Sequence, residues 1–322
     1  RIKTIRPEMS GQPGGEVEMR LATLPTAFGE KMVMRIFDPQ TVGKGVDALG
    51  FSPADAVRWN TLVAKPHGII LVTGPTGSGK TTTLYATLKQ LATDEVNVCT
   101  VEDPIEMIEP ALNQTQVQPA LDLDFAAGVR ALMRQDPDIV MVGEIRDIET
   151  ADMAVQAALT GHLVLSTLHT NDAPTAVTRL LDLGTPAYLL NATLLGVMAQ
   201  RLVRTLCPHC KQASPMTHEE EEIWQAMVSP WKAAKPQKVY HPVGCLDCRM
   251  TGYVGRVGLY EIMLMSPELR KLVTPATELA RVRELAYREG MKPLRISGAM
   301  KVAAGWTTLE EVLQVAPPAQ NE

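Results

Sequence analysis

The 322-residue sequence lacks three features, and each absence narrows the classes of protein that it can belong to. No run of about 18 apolar residues occurs, so no segment has the length of a membrane-spanning helix. The opening residues RIKTIRPEMS lack the apolar core of a secretory signal, which predicts a cytoplasmic location. The formal net charge is -5, so a surface that grips duplex DNA is not the default expectation.

The composition supports a folded globular chain. Hydrophobic residues make up 45% of the sequence, enough to fill sizeable cores, and the length suits about two domains. The chain begins on Arg1 rather than on Met, so we expect it to be part of a longer protein.

The first segment has the alternation of β-strands. Apolar residues occupy every second position in EVEMRLATLPT and in EKMVMRIFDP, and AFGE between them suits a turn. Residues 1–38 are therefore expected to be the end of a small sheet domain. Residues 39–61 begin with a stretch rich in Gly and Pro and read as a linker followed by a lead-in helix.

Residues 62–206 carry four short apolar runs, which are GIILVTG, VNVCTVE, DIVMVGE and HLVLSTLHT. Helix-like segments such as FAAGVRALMRQ separate these runs. Alternation of strands and helices predicts crossover units, hence an α/β core with a mostly parallel sheet. Residues 207–258 then hold two cysteine pairs, and residues 259–322 contain segments typical of capped amphipathic helices, SPELRKLV and TELARVRELAYREG.

The segment GPTGSGKT has the spacing of a phosphate-binding loop. It follows an apolar strand and precedes a helix expected to begin near Lys80, a context that favours a nucleotide site over a chance glycine-rich turn. Glycines expose backbone N–H groups, Lys80 reaches the terminal phosphates, and the Thr81 hydroxyl ligates Mg²⁺. The expected nucleotide-binding residues are Gly74, Pro75, Thr76, Gly77, Ser78, Gly79, Lys80, Thr81 and Thr82.

Acidic residues follow two of the apolar runs. Glu144 follows DIVMVG, where a carboxylate can orient Mg²⁺ or its waters. Glu102 and Glu106 in CTVEDPIE are candidates for the general base that orients water in line with the terminal phosphate. Solvated turn residues with no catalytic role are the alternative, since acidic residues are common after strands.

Two histidines flank one expected strand in TGHLVLSTLHTND. His162 and His169 are seven residues apart, so they face opposite sides of a regular strand and cannot both be simple ligands of one ion. His169, at the carboxyl end, is the better candidate to sense the terminal phosphate. A purely structural role is the alternative for both.

Four cysteines form two CxxC pairs, Cys207 with Cys210 and Cys245 with Cys248. Four thiolates complete a tetrahedral Zn²⁺ shell with no open position, which predicts a structural zinc site. Two disulfides are the competing interpretation, disfavoured by a cytoplasmic location. Cys99 lies in an apolar run and is most simply a small buried residue.

Taken in order, these motifs resemble those of the GspE/PilB family, the motor ATPases of type II secretion and type IV pilus assembly. The resemblance covers nearly the whole chain through GPTGSGKTTTLY, VCTVEDPIE, RQDPDIVMVGEIRDIETA, ALTGHLVLSTLHTNDA, the cysteine pairs and GRVGLYEIM. It implies a RecA-like core, a hexameric ring and hydrolysis of ATP that drives an inner-membrane platform protein, with a cytoplasmic adaptor as a further partner. The chain would then lie at the inner membrane through its protein partners.

The resemblance also implies roles for individual residues. It carries the phosphate-loop, acidic and histidine roles onto Lys80, Thr81, Glu102, Glu106, Glu144, His162 and His169. Within MRLATLPTAFGEKMVMRIF, Arg20 and Arg35 match arginines that approach the phosphates, where a guanidinium stabilises charge that spreads in phosphoryl transfer. Without the resemblance, these two arginines would be read as exposed strand residues that only interact with solvent. The stretch TIRPEMSGQPGGE departs from the family's pattern, so the front of this sheet domain is altered.

Two rival functions follow from other features. RecA-like cores and zinc ribbons also occur in nucleic-acid motors and DNA-binding NTPases, which would need a basic groove that the net charge does not indicate. A nucleotide-gated scaffold with little turnover is the second rival. Within the resembled family the cysteine ribbon marks the assembly and secretion branches and is absent from retraction motors, so we expect extension or secretion.

Overall fold

The N-terminal part is a three-stranded antiparallel sheet. In the computed structural model, which describes residues 2–6, 15–37, 46–231 and 233–316, its strands are β1 Ile2–Arg6, β2 Gly15–Thr26 and β3 Gly29–Phe37, in that order. The turn between β2 and β3 falls at residues 27 and 28. Gly29, the first residue of β3, has a φ of +114°. Both strands expected here are present. The first part of the expected linker, residues 39–45, lies outside the described residues.

A seven-stranded sheet forms the core. Its strands are β4 Gly68–Thr73, β5 Val98–Glu102, β6 Asn113–Gln116, β7 Ile139–Val142, β8 Leu163–Leu168, β9 Leu194–Leu206 and β12 Tyr253–Leu264. They lie in the order β12-β9-β4-β8-β7-β5-β6, parallel throughout except that β12 runs antiparallel to β9. The four strands expected from the apolar runs are β4, β5, β7 and β8.

Both faces of this sheet are covered. Along β4, Ile69 and Leu71 belong to one buried apolar cluster while Ile70 and Val72 belong to another, because successive side chains point to opposite faces. Burial on both faces explains why these strands are continuous apolar runs in the sequence. The predicted fold class, an α/β RecA-like core, is confirmed.

Eleven α-helices lie within the described residues. Two belong to the first half of the core: α1 Pro53–Val63 precedes β4, and α2 Lys80–Leu91 follows the phosphate loop. The others are α3 Phe125–Leu132, α4 Ile148–Leu159, α5 Ala173–Asp182, α6 Ala187–Thr193, α7 His218–Val228, α8 Pro267–Leu272, α9 Leu279–Arg288, α10 Leu294–Ala303 and α11 Leu309–Val315. Within that part of the chain, no helix has the length and apolar content needed to cross a membrane.

The core sheet extends beyond residues 62–206. Strand β12 crosses the expected junction at residue 258 and pairs with β9, so residues from the cysteine region and from the C-terminal region join the core sheet. The sequence hides this strand because Gly255 and Gly258 interrupt its apolar pattern, and Gly is unfavourable in strands. The division into domains stays a prediction. Between the cysteine pairs, β10 Gln212–Ser214 pairs with β11 Val239–His241.

The segment that leads into the core is fastened to the C-terminal part of the chain. The Tyr260 hydroxyl donates to the Leu49 carbonyl over 2.7 Å, and the Lys301 ammonium donates to the Gly50 carbonyl. The 3₁₀ helix Val46–Leu49 also contacts α2. One short segment therefore touches both β12 and the helix that follows the phosphate loop.

Candidate nucleotide site and cysteine cluster

The phosphate loop joins the end of β4 to the first residue of α2 and depends on its glycines. Gly74, Gly77 and Gly79 have φ values of +150°, +81° and +87°, a region that residues with a Cβ rarely adopt. A Cβ on Gly74 would lie 2.5 Å from the Gln200 carbonyl oxygen, and one on Gly79 would lie 2.8 Å from the Gln200 side-chain nitrogen. The loop is therefore seated tightly against β9.

The polar groups of the loop suit a phosphate. The Lys80 ammonium donates to the carbonyls of Gly74 at 2.7 Å and Pro75 at 3.1 Å, so it lies folded over the loop. The Ser78 hydroxyl, on a residue only 4% exposed, has no hydrogen-bond partner among the described residues. A buried hydroxyl without a partner is costly unless a ligand satisfies it. Thr81 is exposed in the first turn of α2, and its hydroxyl is open to a metal ion.

Glu144 lies just beyond the carboxyl end of β7, next to the end of β8. Its carboxylate contacts the Arg146 guanidinium and lies 3.3 Å from Nε2 of His169. Burial opposes ionisation of Glu144, but the hydrogen bond and charge of Arg146 and the proximity of His169 lower its pKa overall. The carboxylate is thus held ionised at the same sheet edge as the phosphate loop.

Lys80 shares an electrostatic environment with Glu144. Burial lowers the pKa of Lys80, the Glu144 carboxylate opposes that shift, and the charge of Arg201 adds to it. The two expected residues are close enough to influence each other. The structure therefore brings the phosphate loop, Glu144 and His169 together, as the carboxyl ends of parallel strands require.

Glu102 lies in a buried network below α2. It is 4% exposed, and its carboxylate accepts hydrogen bonds from Tyr85 at 2.5 Å, Thr100 at 2.6 Å and Gln114 at 3.1 Å. Burial, with the neighbouring carboxylate, raises the pKa of Tyr85 far above its usual range, so its hydroxyl remains a donor. Glu106 is half-buried. The catalytic roles of both glutamates stay predictions.

His162 lies at the opposite end of β8 from His169. Its Nδ1 is 2.8 Å from the Ala157 carbonyl and 3.1 Å from the Thr160 hydroxyl, which ties the ring to the end of α4. The structure does not bring His162 to the edge that holds the phosphate loop. Its catalytic role stays a prediction that this placement does not support.

Arg20 and Arg35 face each other as paired positions of β2 and β3. Their side chains lie outside what the structure describes. Their approach to the phosphates stays a prediction.

Two further polar residues beside the phosphate loop lie on β9 and are not among the residues predicted from the sequence. Gln200 is 2% exposed and its side-chain oxygen accepts a hydrogen bond from the Thr83 hydroxyl of α2 at 2.9 Å. Arg201 is 8% exposed and donates to the Asn171 carbonyl at 2.9 Å. The sequence does contain a signal for these two residues, because they form a polar pair inside the apolar run GVMAQRLV. Polar side chains are uncommon in a protein core unless they have a partner.

A cavity of about 670 Å³ opens beside Glu144. His169 and Arg146 line it on the sheet side, and Thr175 and Arg179 of α5 line it on the other. Its position beyond the sheet edge gives the candidate site an open approach.

The four cysteines form a compact cluster. Their sulfur atoms all lie within 4.8 Å of one another, with Cys207 and Cys210 each 3.8 Å from a sulfur of the second pair. All four are free thiols, which disfavours the disulfide interpretation. Four thiolates at zinc bonding distance would have sulfur atoms about 3.8 Å apart, so the donor set and spacing fit a metal ion.

Backbone groups support the thiolate form of one ligand. The N–H groups of Cys245 and Gly252 donate to the sulfur of Cys248 at 3.1 Å and 3.2 Å. Desolvation opposes ionisation, but these donors and the neighbouring thiols lower the pKa of Cys248 to about 6. Metal binding requires the deprotonated form, so this environment favours it.

Relatives of known name match most of this chain. The chain is 59% identical over 317 residues to the type IV pilus assembly ATPase TfpB of Acinetobacter baylyi, which covers 98% of this chain and 53% of that protein. It is 48% identical over 302 residues to the type II secretion system protein HxcR of Pseudomonas aeruginosa, over 94% of this chain and 60% of that protein. The chain thus spans little more than half the length of these relatives.

Solved structures share the fold. The Legionella pneumophila ATPase DotB superposes with a TM-score of 0.67 at 23% identity, over 98% of this chain and 76% of that chain. The pilus retraction motor PilT, solved with bound ADP, gives a TM-score of 0.63 at 25% identity, over 99% of this chain and 78% of that chain.

The family model described as Type II/IV secretion system protein matches residues 8–314, almost the whole chain. With the relatives above, this match shows that the chain belongs to the type II/IV secretion system protein family.

Proposed function

We propose that this chain is the motor part of an ATPase that assembles a filament of the type IV pilus or type II secretion kind. The observation that carries the proposal is the meeting of the phosphate loop, with Lys80 at its end, and the ionised Glu144 at one sheet edge. Relatives named for pilus assembly are 59% and 47% identical and the secretion protein HxcR is 48% identical, so the proposal covers both kinds of filament.

In this proposal the loop grips the phosphates of ATP. Lys80 exchanges its contacts with the Gly74 and Pro75 carbonyls for oxygens of the terminal phosphates, and the Ser78 hydroxyl gains a partner. The loop N–H groups and the N-terminus of α2 add positive potential. Mg²⁺, held through the Thr81 hydroxyl, would neutralise charge on the transferring phosphoryl group. Pro75, Thr76 and Thr82 complete the binding set.

Glu144 orients Mg²⁺ or its waters in this proposal. Its lowered pKa keeps the carboxylate ionised at neutral pH, and its contacts with Arg146 and His169 fix its direction. His169 is the residue best placed to respond to loss of the terminal phosphate. Glu102, which also holds α2 through Tyr85, and Glu106 stay candidates for the general base that orients the attacking water.

Charge that develops during hydrolysis needs further cations. Arg20 and Arg35, on the N-terminal sheet, are proposed to supply them when that sheet closes on the core. Six copies of the chain would form a ring and couple this closure to movement of an inner-membrane platform protein, with a cytoplasmic adaptor at the membrane. Family membership supports this arrangement.

The cysteine cluster is proposed to hold a structural Zn²⁺. Four sulfur ligands leave no open position for catalysis, so the ion would fix the fold between β9 and β12, where the two CxxC pairs lie.

The experiment that tests the function compares Lys80→Ala and Glu144→Gln with the unchanged chain. We expect both changes to abolish ATP turnover while the circular dichroism spectrum and melting temperature are kept, because neither side chain belongs to the buried apolar core. Matched controls are Lys89→Ala, at an exposed position of α2, and Glu149→Gln, at an exposed position of α4. Both control variants should turn over ATP normally. Normal turnover in the Lys80 or Glu144 variant would refute the site assignment.

A further inference from the structure

Arg201 occupies a buried position between two parts of the candidate site. One guanidinium nitrogen donates to the Gln200 carbonyl at 3.0 Å and lies 3.2 Å from where a Cβ of Gly74 would stand. The other donates to the Asn171 carbonyl at 2.9 Å. The guanidinium therefore lies beside the start of the phosphate loop and is hydrogen-bonded to the segment that follows His169.

Burial of this cation is expensive. Desolvation lowers the pKa of Arg201, and the carboxylates of Glu261 and Asp172 act in the opposite direction. Apolar side chains of similar volume often stabilise a fold as well as a buried ion does, so stability alone gives a weak reason for an arginine here. Its contacts, which join two functional segments, give a stronger one.

The segment after His169 is fastened at successive residues. Thr170 is bound to Thr73, the last residue of β4, through hydroxyls 2.7 Å apart. The next three residues are each held by a different element: Asn171 by Arg201 of β9, Asp172 by Arg283 of α9 at 2.7 Å, and the Ala173 N–H by Glu261 of β12 at 2.8 Å. Among these partners, Arg201 has its guanidinium beside Gly74 of the phosphate loop, and its charge also acts on Lys80.

We propose that Arg201 is a positioning residue for ATP hydrolysis, which holds the His169 end of β8 in fixed register with the phosphate loop. The proposal rests on the function proposed above. His169 contacts Glu144, so a shift of residues 169–171 would displace the carboxylate that orients Mg²⁺ or its waters. The planar fork of arginine suits this role because it can donate in two directions at once, which a lysine ammonium on a flexible stem does less well.

The first test measures turnover and binding separately in Arg201→Met. We expect kcat to fall by about 100-fold, the size of effect that a small misplacement of reacting groups causes, while the affinity for a fluorescent ATP analogue stays near that of the unchanged protein. The matched control is Arg204→Met on the same strand. The Arg204 guanidinium lies 2.6 Å from the Glu311 carboxylate and takes no part in the candidate site, so this change should leave kcat unchanged. An unchanged kcat in Arg201→Met would overturn the proposal.

The second test asks whether Arg201 acts through His169. In the double variant with His169→Ala, the loss from Arg201→Met should be much smaller than in the unchanged background, because residues that act as a unit are not additive. Full additivity, or normal turnover in His169→Ala alone, would also overturn the proposal.

A third variant guards against misfolding. Arg201→Lys keeps the charge and most of the volume, so it should fold even where the methionine variant does not. We expect lower kcat and faster hydrogen exchange of the Thr170 and Ala173 amides, with ATP affinity kept; unchanged exchange with unchanged kcat would contradict the role of Arg201. If the unchanged chain hydrolyses no ATP, the proposed function fails and the exchange comparison alone decides the role of Arg201.

Discussion

Single charged residues in this molecule are held by helix ends as well as by opposite charges. Glu261 is buried on β12 and accepts a hydrogen bond from the Ala173 N–H at the start of α5. Burial and the nearby Asp172 carboxylate raise its pKa, the Ala173 N–H and Arg283 oppose them, and the net result is a pKa of about 7. The folded chain therefore binds a proton here at pH values at which the unfolded chain has released it.

That linkage predicts how Glu261→Gln changes stability with pH. Between the ordinary carboxyl pKa and about 7 the native state holds the extra proton, so the contribution of Glu261 to stability falls as the pH rises through this window. Glutamine stays neutral, so the variant should gain stability relative to the unchanged chain from pH 5 to pH 8, by at most about 3 kcal/mol. Urea unfolding at both pH values measures the difference, and a constant difference would contradict the prediction.

The elements of the core show what the sequence reveals and what it hides. Strands β4, β5, β7 and β8 and the start of α2 at Lys80 were predictable because apolar runs and the glycine spacing are local patterns. The placement of Arg201 was not. Arg201 is 30 positions from its partner Asn171, and the two residues after Asn171 have partners 111 and 88 positions away. Only the folded order of the strands brings these residues together.

The contact between the phosphate loop and β9 can be tested by substitution of the loop glycines. Gly74→Ala places a methyl group against the Gln200 backbone, whereas Gly77→Ala meets nothing within 4 Å. Both changes strain a positive φ, which costs about 1–2 kcal/mol, but only the first adds a clash with backbone that cannot turn aside. We expect the free energy of unfolding to fall clearly more for Gly74→Ala without nucleotide. Equal losses would show that β9 does not press on the loop.

At the scale of the whole molecule, the cysteine cluster joins regions that the sequence separates. Cys207 and Cys210 directly follow β9, and Cys245 and Cys248 lead into β12, the strand that pairs with it. An ion held by all four would close the loop between these two strands, which includes α7, β10 and β11. Closing a long loop reduces the entropy of the unfolded chain.

Removal of the metal should therefore lower stability without direct damage to the nucleotide site. We expect elemental analysis to find about one zinc ion per chain, absent from Cys248→Ser and retained in Cys99→Ala, whose cysteine lies in β5. A strong chelator should lower the melting temperature of the unchanged chain. Zinc retained by Cys248→Ser at full occupancy would refute the four-sulfur site.

Under the proposed function, the hydrogen bonds of Leu49 and Gly50 with Tyr260 and Lys301 would be the route by which a movement of the N-terminal sheet reaches the core. The bond from Tyr260 leads to β12 and the bond from Lys301 leads to α10, and β12 pairs with β9 along most of its length. Strand β9 carries Gln200 and Arg201 against the phosphate loop. Under the proposed function, a movement of the N-terminal sheet would therefore reach the phosphate loop through the pair of strands β12 and β9.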